Sequence, residues 1–383
     1  MGKIIDKGQN KKVWTDEWDK LSPESEIKMW DYYGLRPWIL KFVPRNDLVL
    51  EAGCGLGRYV FYLNRLGVDT LGLDFSKKTV SFLNKWKDKN KFKSKIIEGD
   101  VCNLPFENNS LSGYLSFGVI EHFHEGPQKP LAEAYRVLRP GGIAIITTPS
   151  ISWLLFLKNI KIKIKNIIKR LIRYRKSSEE FFQYEYRPGT LKKLVSESGL
   201  SVSTYSGADL MYTFCELGKF SGKNLKKGSF AYWFSNKFES TFLKTLGAQS
   251  VTISIKLGER MHCFFCGEMK ADKESLNKYT VPVCTKCKSN KLSHYYLKTL
   301  KTGFHNEYII SPPVITQEGK VCTYCRNKYA TDPLFENYGF DIAVCGDCLK
   351  LKENNIKLSN ENIQPIWRKR SNNKDIHENL KKV

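Results

Sequence analysis

The run Leu48-Val-Leu-Glu-Ala-Gly-Cys-Gly-Leu-Gly57 sets three glycines at alternate positions directly behind an apolar stretch. The short apolar run predicts a buried strand. The glycines permit the positive backbone angles of a tight turn and let a ligand approach the main chain closely. Arg58–Leu66 behind them has helical spacing, so its first turn offers N–H groups to a polar ligand. Strand, glycine turn and helix in this order restrict the chain to an open α/β sheet that binds ligands at the carboxyl ends of its strands.

The same alternation continues downstream. Strand-like runs fall at Leu48–Glu51, Thr70–Leu73, Lys95–Glu98, Tyr114–Phe117 and Ile143–Thr147, and helix-like runs at Arg58–Leu66, Lys77–Lys87 and Leu131–Leu138. A helix at Leu191–Ser198 and strands at Leu200–Tyr205 and Ser250–Leu257 resume the pattern after an interruption. Strands separated by helical segments predict a parallel sheet with crossover helices on both faces. The expected organisation is a helical, aromatic segment over residues 1–45, the sheet domain over 46–257 and paired cysteines from 259 onward.

Polar residues stand where this layout ends its strands. Asp74, with Phe75 beside it, closes the second strand; Gly99-Asp100-Val101 closes the third; Ser116-Phe-Gly-Val-Ile-Glu-His122 closes the fourth. A carboxylate at the first of these positions is able to accept both hydroxyls of a ribose, and one at the second meets an adenine amino group.

In these motifs the chain resembles the class I S-adenosylmethionine methyltransferases, above all the group with quinone and small-molecule methylating enzymes. The resemblance covers about residues 47–257: Glu51 in E-x-G-x-G-x-G, the acidic Asp74, the G-D-V at 99–101, and Leu138-Arg-Pro-Gly-Gly142 before the fifth strand. It implies a Rossmann-like seven-stranded sheet and S-adenosylmethionine as cofactor. It also implies that Glu51 and the loop of Gly53, Gly55 and Gly57 hold the methionine part. Asp74 and Phe75 then border the ribose, Asp100 and Val101 the adenine, and Gly118 the methionine end. The glycine spacing departs from the wider G-x-G-x-x-G turn that cradles a pyrophosphate in dinucleotide enzymes.

Methyl transfer from a sulfonium is a direct displacement dominated by positioning, with a base needed only where the nucleophile loses a proton. His122, just past the fourth strand, is the candidate base; a structural brace for the cofactor loop is the other role open to it. His124 stands in reserve, with Tyr59 and Glu121 as bounding residues. No Asn/Asp-Pro-Pro-Tyr follows the fourth strand, as amino methylases acting on adenine or glutamine require, and no Cys-Pro pair marks a cytosine methylase. A small or lipid-linked molecule is therefore the leading acceptor, with an RNA gripped by the C-terminal cysteine modules as the alternative. A nucleic-acid-binding adaptor that only binds the cofactor is a third reading.

Sixty-two Lys and Arg face 39 Asp and Glu, a net charge of +23. That excess favours polyanionic partners, nucleic acid or an anionic membrane among them, unless it is a solvated Lys-rich surface. It is densest over Lys158–Lys176, nine basic residues without an acid, with Ile160, Ile164, Ile167, Ile168, Leu171 and Ile172 on one helical face. A basic amphipathic segment of this kind, within an insert over 151–189, fits peripheral contact with an anionic membrane or a lid over the substrate. No run of about 18 apolar residues predicts a membrane-spanning helix.

Eleven cysteines without an apolar leader predict a reducing compartment, the cytoplasm, and metal ligation in place of disulfides. Cys263-x-x-Cys266 and Cys284-x-x-Cys287 lie 17 residues apart, and Cys322-x-x-Cys325 and Cys345-x-x-Cys348 lie 19 apart. Each set supplies four thiolates, the complement of a closed structural zinc site, so two zinc ions are expected. The modules span 259–305 and 318–358, ahead of a polar tail at 359–383. Each has a helix-like segment after its second pair, as in treble-clef fingers. The first resembles the zinc module of the xeroderma pigmentosum group A DNA-repair proteins in its gap, in Pro282 and in Tyr295, Tyr296 and Lys298. That resemblance implies nucleic-acid or protein contact.

Overall fold

A computed structural model describes residues 21–29, 34–44, 47–65, 68–90, 92, 94–150, 183–210, 212–213 and 245–289, together with short strands at 5–6, 180–181, 315–316, 319–320, 332–337 and 340–344. The basic run Lys158–Lys176, the second cysteine set (Cys322, Cys325, Cys345 and Cys348) and the tail at 359–383 lie outside the described residues.

Two short helices, α1 (Pro23–Met29) and α2 (Arg36–Phe42), precede the sheet. Then come β1 (Val49–Ala52), α3 (Arg58–Arg65), β2 (Thr70–Asp74), α4 (Lys77–Lys89), β3 (Lys95–Glu98) and β4 (Leu111–Phe117). They are followed by α5 (Gln128–Val137), β5 (Leu138–Pro149), α6 (Pro188–Glu197), β6 (Ser201–Ala208) and β7 (Gln249–Ile255). The strands form one seven-stranded sheet in the order β3-β2-β1-β4-β5-β7-β6. Pairings through β5 are parallel, and β7 runs antiparallel to both β5 and β6. The expected seven-stranded α/β sheet is what forms.

Strand periodicity sends neighbouring residues to opposite faces. Leu50, Ala52, Tyr114, Ala144 and Ile146 pack with Leu131 and Ala134 of α5 and Leu191 of α6. Val49, Leu115, Ile145 and Val251 face the other way, onto Trp38, Ile39 and Phe42 of α2 and Leu63 of α3. Burial on both faces suits a parallel sheet covered by crossover helices. The fifth strand begins earlier than its apolar core at Ile143–Thr147 suggests. Leu138 already pairs with Leu111, and the register shifts before Gly113 meets Ile143, so Arg139–Gly142 forms an irregular entry to the strand.

Beyond β7 the chain does not leave the sheet. β8 (Met261–His262) and β9 (Met269–Ala271) form a small antiparallel pair, followed by α7 (Glu274–Tyr279) and α8 (Thr285–Ser289). Met261, Cys263, Phe264, Phe265, Val281 and Val283 join the same apolar cluster as α2, β5 and β7. Gly141, at φ +85°, lies so close to this segment that an added Cβ would stand 2.5 Å from the His262 carbonyl oxygen. The first cysteine module thus packs against the core of the sheet. Among the described residues no helix is long and apolar enough to cross a membrane.

Candidate functional site

The glycine turn forms because β1 must reverse into α3 while its N–H groups stay paired. Gly53 and Cys54 both donate to the Leu73 carbonyl, at 2.8 and 2.9 Å, which pins the turn to the end of β2. Gly53, Gly55 and Gly57 take φ of +76°, +50° and +73°, a region that penalises any Cβ. At Gly53 a Cβ would also stand 2.6 Å from Val119 Cγ2.

Two buried carboxylates brace this turn. Glu51 Oε2 accepts the Val60 N–H at 2.9 Å, and burial pushes its carboxyl up to about 8. Asp74 Oδ2 accepts from Gly55 N at 2.9 Å and Oδ1 from Ser76 N at 3.0 Å; burial raises its pKa against the pull of these bonds. Two carboxyls held up in this way, in a cleft, are the mark of a site built to receive a charge or a hydrogen-bond donor.

A cavity of about 900 Å³ runs along the carboxyl edge of the sheet. Glu51, Gly53, Gly55, Asp74 and Phe75 line it at the ends of β1 and β2. Asp100 and Val101 line it past β3, and Gly118 and His122 past β4. Gly57 is the expected residue that lies off the lining; it faces Phe61, 2.6 Å from where its Cβ would be. Gly118, at φ +70°, donates its N–H to Thr147 at 3.1 Å.

His122 closes a turn of 3-10 helix, Ile120–His122, with Nε2 3.9 Å from Glu121 Oε1. Glu121 is buried, its carboxyl is pushed up to about 8 by that burial, and its Oε2 has no hydrogen-bond partner among the described residues. At neutral pH this neighbour is mostly uncharged, so the two do not form a charged pair. His124 is off the cavity lining.

Sequence reasoning missed half of the wall. Glu26 and Leu35 arrive from the N-terminal helices, and Arg58 opens α3. Arg58 Nε donates to Glu26 Oε2 at 2.7 Å, tying α1 to the rim. Thr147, Asp209 and Gln249 come from β5, the end of β6 and the start of β7. No local motif marks them, because what unites them is strand order.

In the cysteine module the four Sγ atoms of Cys263, Cys266, Cys284 and Cys287 lie within 4.8 Å of one another. Cys266 and Cys284 sulfurs are 3.8 Å apart. Zinc–sulfur bonds of about 2.3 Å in a tetrahedron require sulfur pairs roughly 3.8 Å apart, so the donor set fits a zinc ion in number and type, with one sulfur pair at that spacing.

Sheet order and glycine turn fit the Rossmann-like fold of an S-adenosylmethionine-dependent methyltransferase. The methyltransferase domain family matches residues 50–146. An uncharacterized protein of Methanocaldococcus jannaschii is 29% identical over 217 residues, 51% of this chain and 78% of that one. The 2-methyl-6-phytyl-1,4-hydroquinone methyltransferase of Spinacia oleracea is 37% identical over 106 residues, 27% of this chain and 30% of that one. A solved S-adenosylmethionine-dependent methyltransferase of Methanosarcina mazei aligns with a TM-score of 0.41 at 15% identity, over 58% of this chain and 97% of that one. The chain thus spans most of the archaeal protein and under a third of the spinach enzyme.

Proposed function

We propose that the chain methylates a small or lipid-linked acceptor in this cavity. The observation that carries the reading is continuity: one cavity joins the motif residues at β1–β3 to a separate wall at β5–β7. That leaves room for a second molecule beside the cofactor.

S-adenosylmethionine, when bound, supplies an electrophilic methyl group on a sulfonium. The chain's residues do the rest. Glu51 and the loop at Gly53–Gly55 take the methionine end, where the amino group of that end favours the ionised form of Glu51. Asp74 and Phe75 border the ribose, Asp100 and Val101 the adenine, and Gly118 the reacting end. Gly57 serves by turning the chain into α3. His122 accepts the proton that an acceptor hydroxyl or amine releases.

The cysteine set at Cys263, Cys266, Cys284 and Cys287 holds a structural zinc in this reading, supported by its sulfur spacing. A second zinc at Cys322, Cys325, Cys345 and Cys348 rests on spacing in the sequence alone.

Calorimetry with S-adenosylhomocysteine and with NAD tests the cofactor: the first binds and the second does not. Transfer of labelled methyl from S-adenosylmethionine to lysate fractions tests the acceptor. Label in the small-molecule or lipid extract supports the proposal. Label that disappears on nuclease treatment moves the acceptor to RNA and sinks the small-molecule reading.

A further inference from the structure

The wall opposite the cofactor motifs has its own polar chemistry. Thr147 near the end of β5, Asp209 just past β6 and Gln249 at the start of β7 line the same cavity. The antiparallel run of β7 brings its first residue to the edge where β5 and β6 end: Gln249 pairs with both Pro149 and Ala208. Three positions that span 103 residues of sequence therefore meet at one place.

Two of these side chains carry polar atoms left unmatched. Thr147 is 1% exposed, and neither its Oγ1 nor Gln249 Oε1, each buried, has a hydrogen-bond partner among the described residues. Native proteins seldom leave buried polar atoms unmatched, and each such atom costs about 1–3 kcal/mol unless something else binds it. Asp209 is buried and holds φ at +64°, a left-handed conformation that Asp adopts more readily than most side chains. Its Oδ1 accepts N–H groups from Tyr212 and Gly34 at 3.3 and 3.4 Å, long bonds from two segments flanking the cavity.

We propose that Asp209, Gln249 and Thr147 form the acceptor subsite of this cavity and receive a neutral, flat molecule through an O–H or N–H that it donates. The proposal rests on the methyltransferase reading of the cavity. Gln249 Oε1 and the Asp209 carboxylate accept hydrogen bonds, and the Thr147 hydroxyl is able to accept as well, so a donor on the incoming molecule matches all three. Burial pushes the Asp209 carboxyl up to about 6, offset in part by its N–H bonds and by the Arg58 charge, which leaves it mostly ionised at neutral pH. An anionic acceptor would be repelled there. Flatness follows from the remaining wall. Phe117 and Tyr59, packed ring to ring at 4.3 Å, and Tyr212, 45% exposed, all line the cavity, so its wall offers aromatic surface to a flat molecule.

The test uses the full chain saturated with S-adenosylhomocysteine, and ligand-observed NMR with phenol, anisole and benzoate as probes. Phenol should bind at least about fivefold more tightly than anisole, which has the ring without the donor, with benzoate weaker still. Asp209→Asn and Gln249→Met should each weaken phenol about fivefold or more while calorimetric affinity for S-adenosylhomocysteine stays within about twofold. Asn is chosen because it tolerates positive φ, and Gln249→Met keeps the test open should the first variant misfold. Phenol that fails to bind, phenol and anisole binding alike, or variants that bind phenol like the parent, would overturn the subsite. Loss of S-adenosylhomocysteine binding in the variants would move these residues to the cofactor wall and overturn it as well. A parent chain that does not bind S-adenosylhomocysteine would instead sink the methyltransferase reading itself.

Discussion

Asp74 Oδ2 accepts the Gly55 N–H at 2.9 Å, so the carboxylate at the end of β2 holds the middle of the glycine turn in place. Its other oxygen caps Ser76 N at 3.0 Å at the start of α4. One side chain therefore shapes the turn between β1 and α3 and fixes the loop that leads from β2 into α4. Its place on the cavity wall is a consequence of both bonds.

Replacing Asp74 separates these roles. Asp74→Ala removes the acceptor and releases the turn, and should weaken S-adenosylhomocysteine binding by about 2–3 kcal/mol, read by calorimetry. Asp74→Asn keeps one acceptor oxygen for Gly55 and should lose less. Equal affinity in the Ala variant would remove Asp74 from the cofactor wall.

Glu51 predicts the pH dependence of the ligand-free protein. Its folded carboxyl titrates at about 8 against an ordinary value of 4.5, because burial disfavours the charge. Between those values the folded state holds a proton that the unfolded chain has released. Stability is thus fully present below about pH 4.5 and falls as pH rises through about 8. Glu121, also about 8, acts in the same window. Glu51→Gln keeps an acceptor for Val60 N and should shrink this fall by a few kcal/mol at most, measured by denaturant titration at pH 5, 6.5 and 8. An unchanged slope would mean that Glu51 is not held protonated.

Backbone strain sets two glycine substitutions apart. Gly53→Ala places a Cβ at φ +76° against Val119 and should cost about 1–3 kcal/mol of stability together with cofactor affinity. Gly189→Ala, at the start of α6 with nothing within 4 Å, should be neutral or stabilising by about 0.4–1 kcal/mol. Chemical denaturation reads both, and a silent Gly53→Ala would show that the turn relaxes.

Metal removal should reach the sheet. Cys263, Phe264 and Phe265 share an apolar cluster with Trp38, Ile145 and Ile253, so loss of zinc from the cysteine module would unseat contacts of α2, β5 and β7. A chelator should lower the Tm of the cofactor domain, and Phe265→Ala, at 1% exposed, should cost about 3–5 kcal/mol. A sheet that melts at the same temperature with and without chelator would contradict this coupling.

Local pattern was enough for much of this protein. Apolar runs marked β1 and β2 within one residue, because a strand buried on both faces reads as continuous hydrophobicity, and β3, with exposed Lys95 and Glu98 around Ile96 and Ile97, was marked by its place in the strand–helix alternation. Glycine spacing located the turn, since positive φ is a property of single residues, and paired cysteines located a cluster of four sulfurs within 25 residues of chain. Strand order decided what pattern does not encode. The antiparallel insertion of β7 between β5 and β6 brought Gln249 beside Asp209 and Thr147, and α1 brought Glu26 to Arg58. Packing likewise placed Met261 and Phe265 of the cysteine module in the core of the sheet. Periodicity records which face of an element is apolar, whereas the surface that covers that face is chosen by packing across the whole chain.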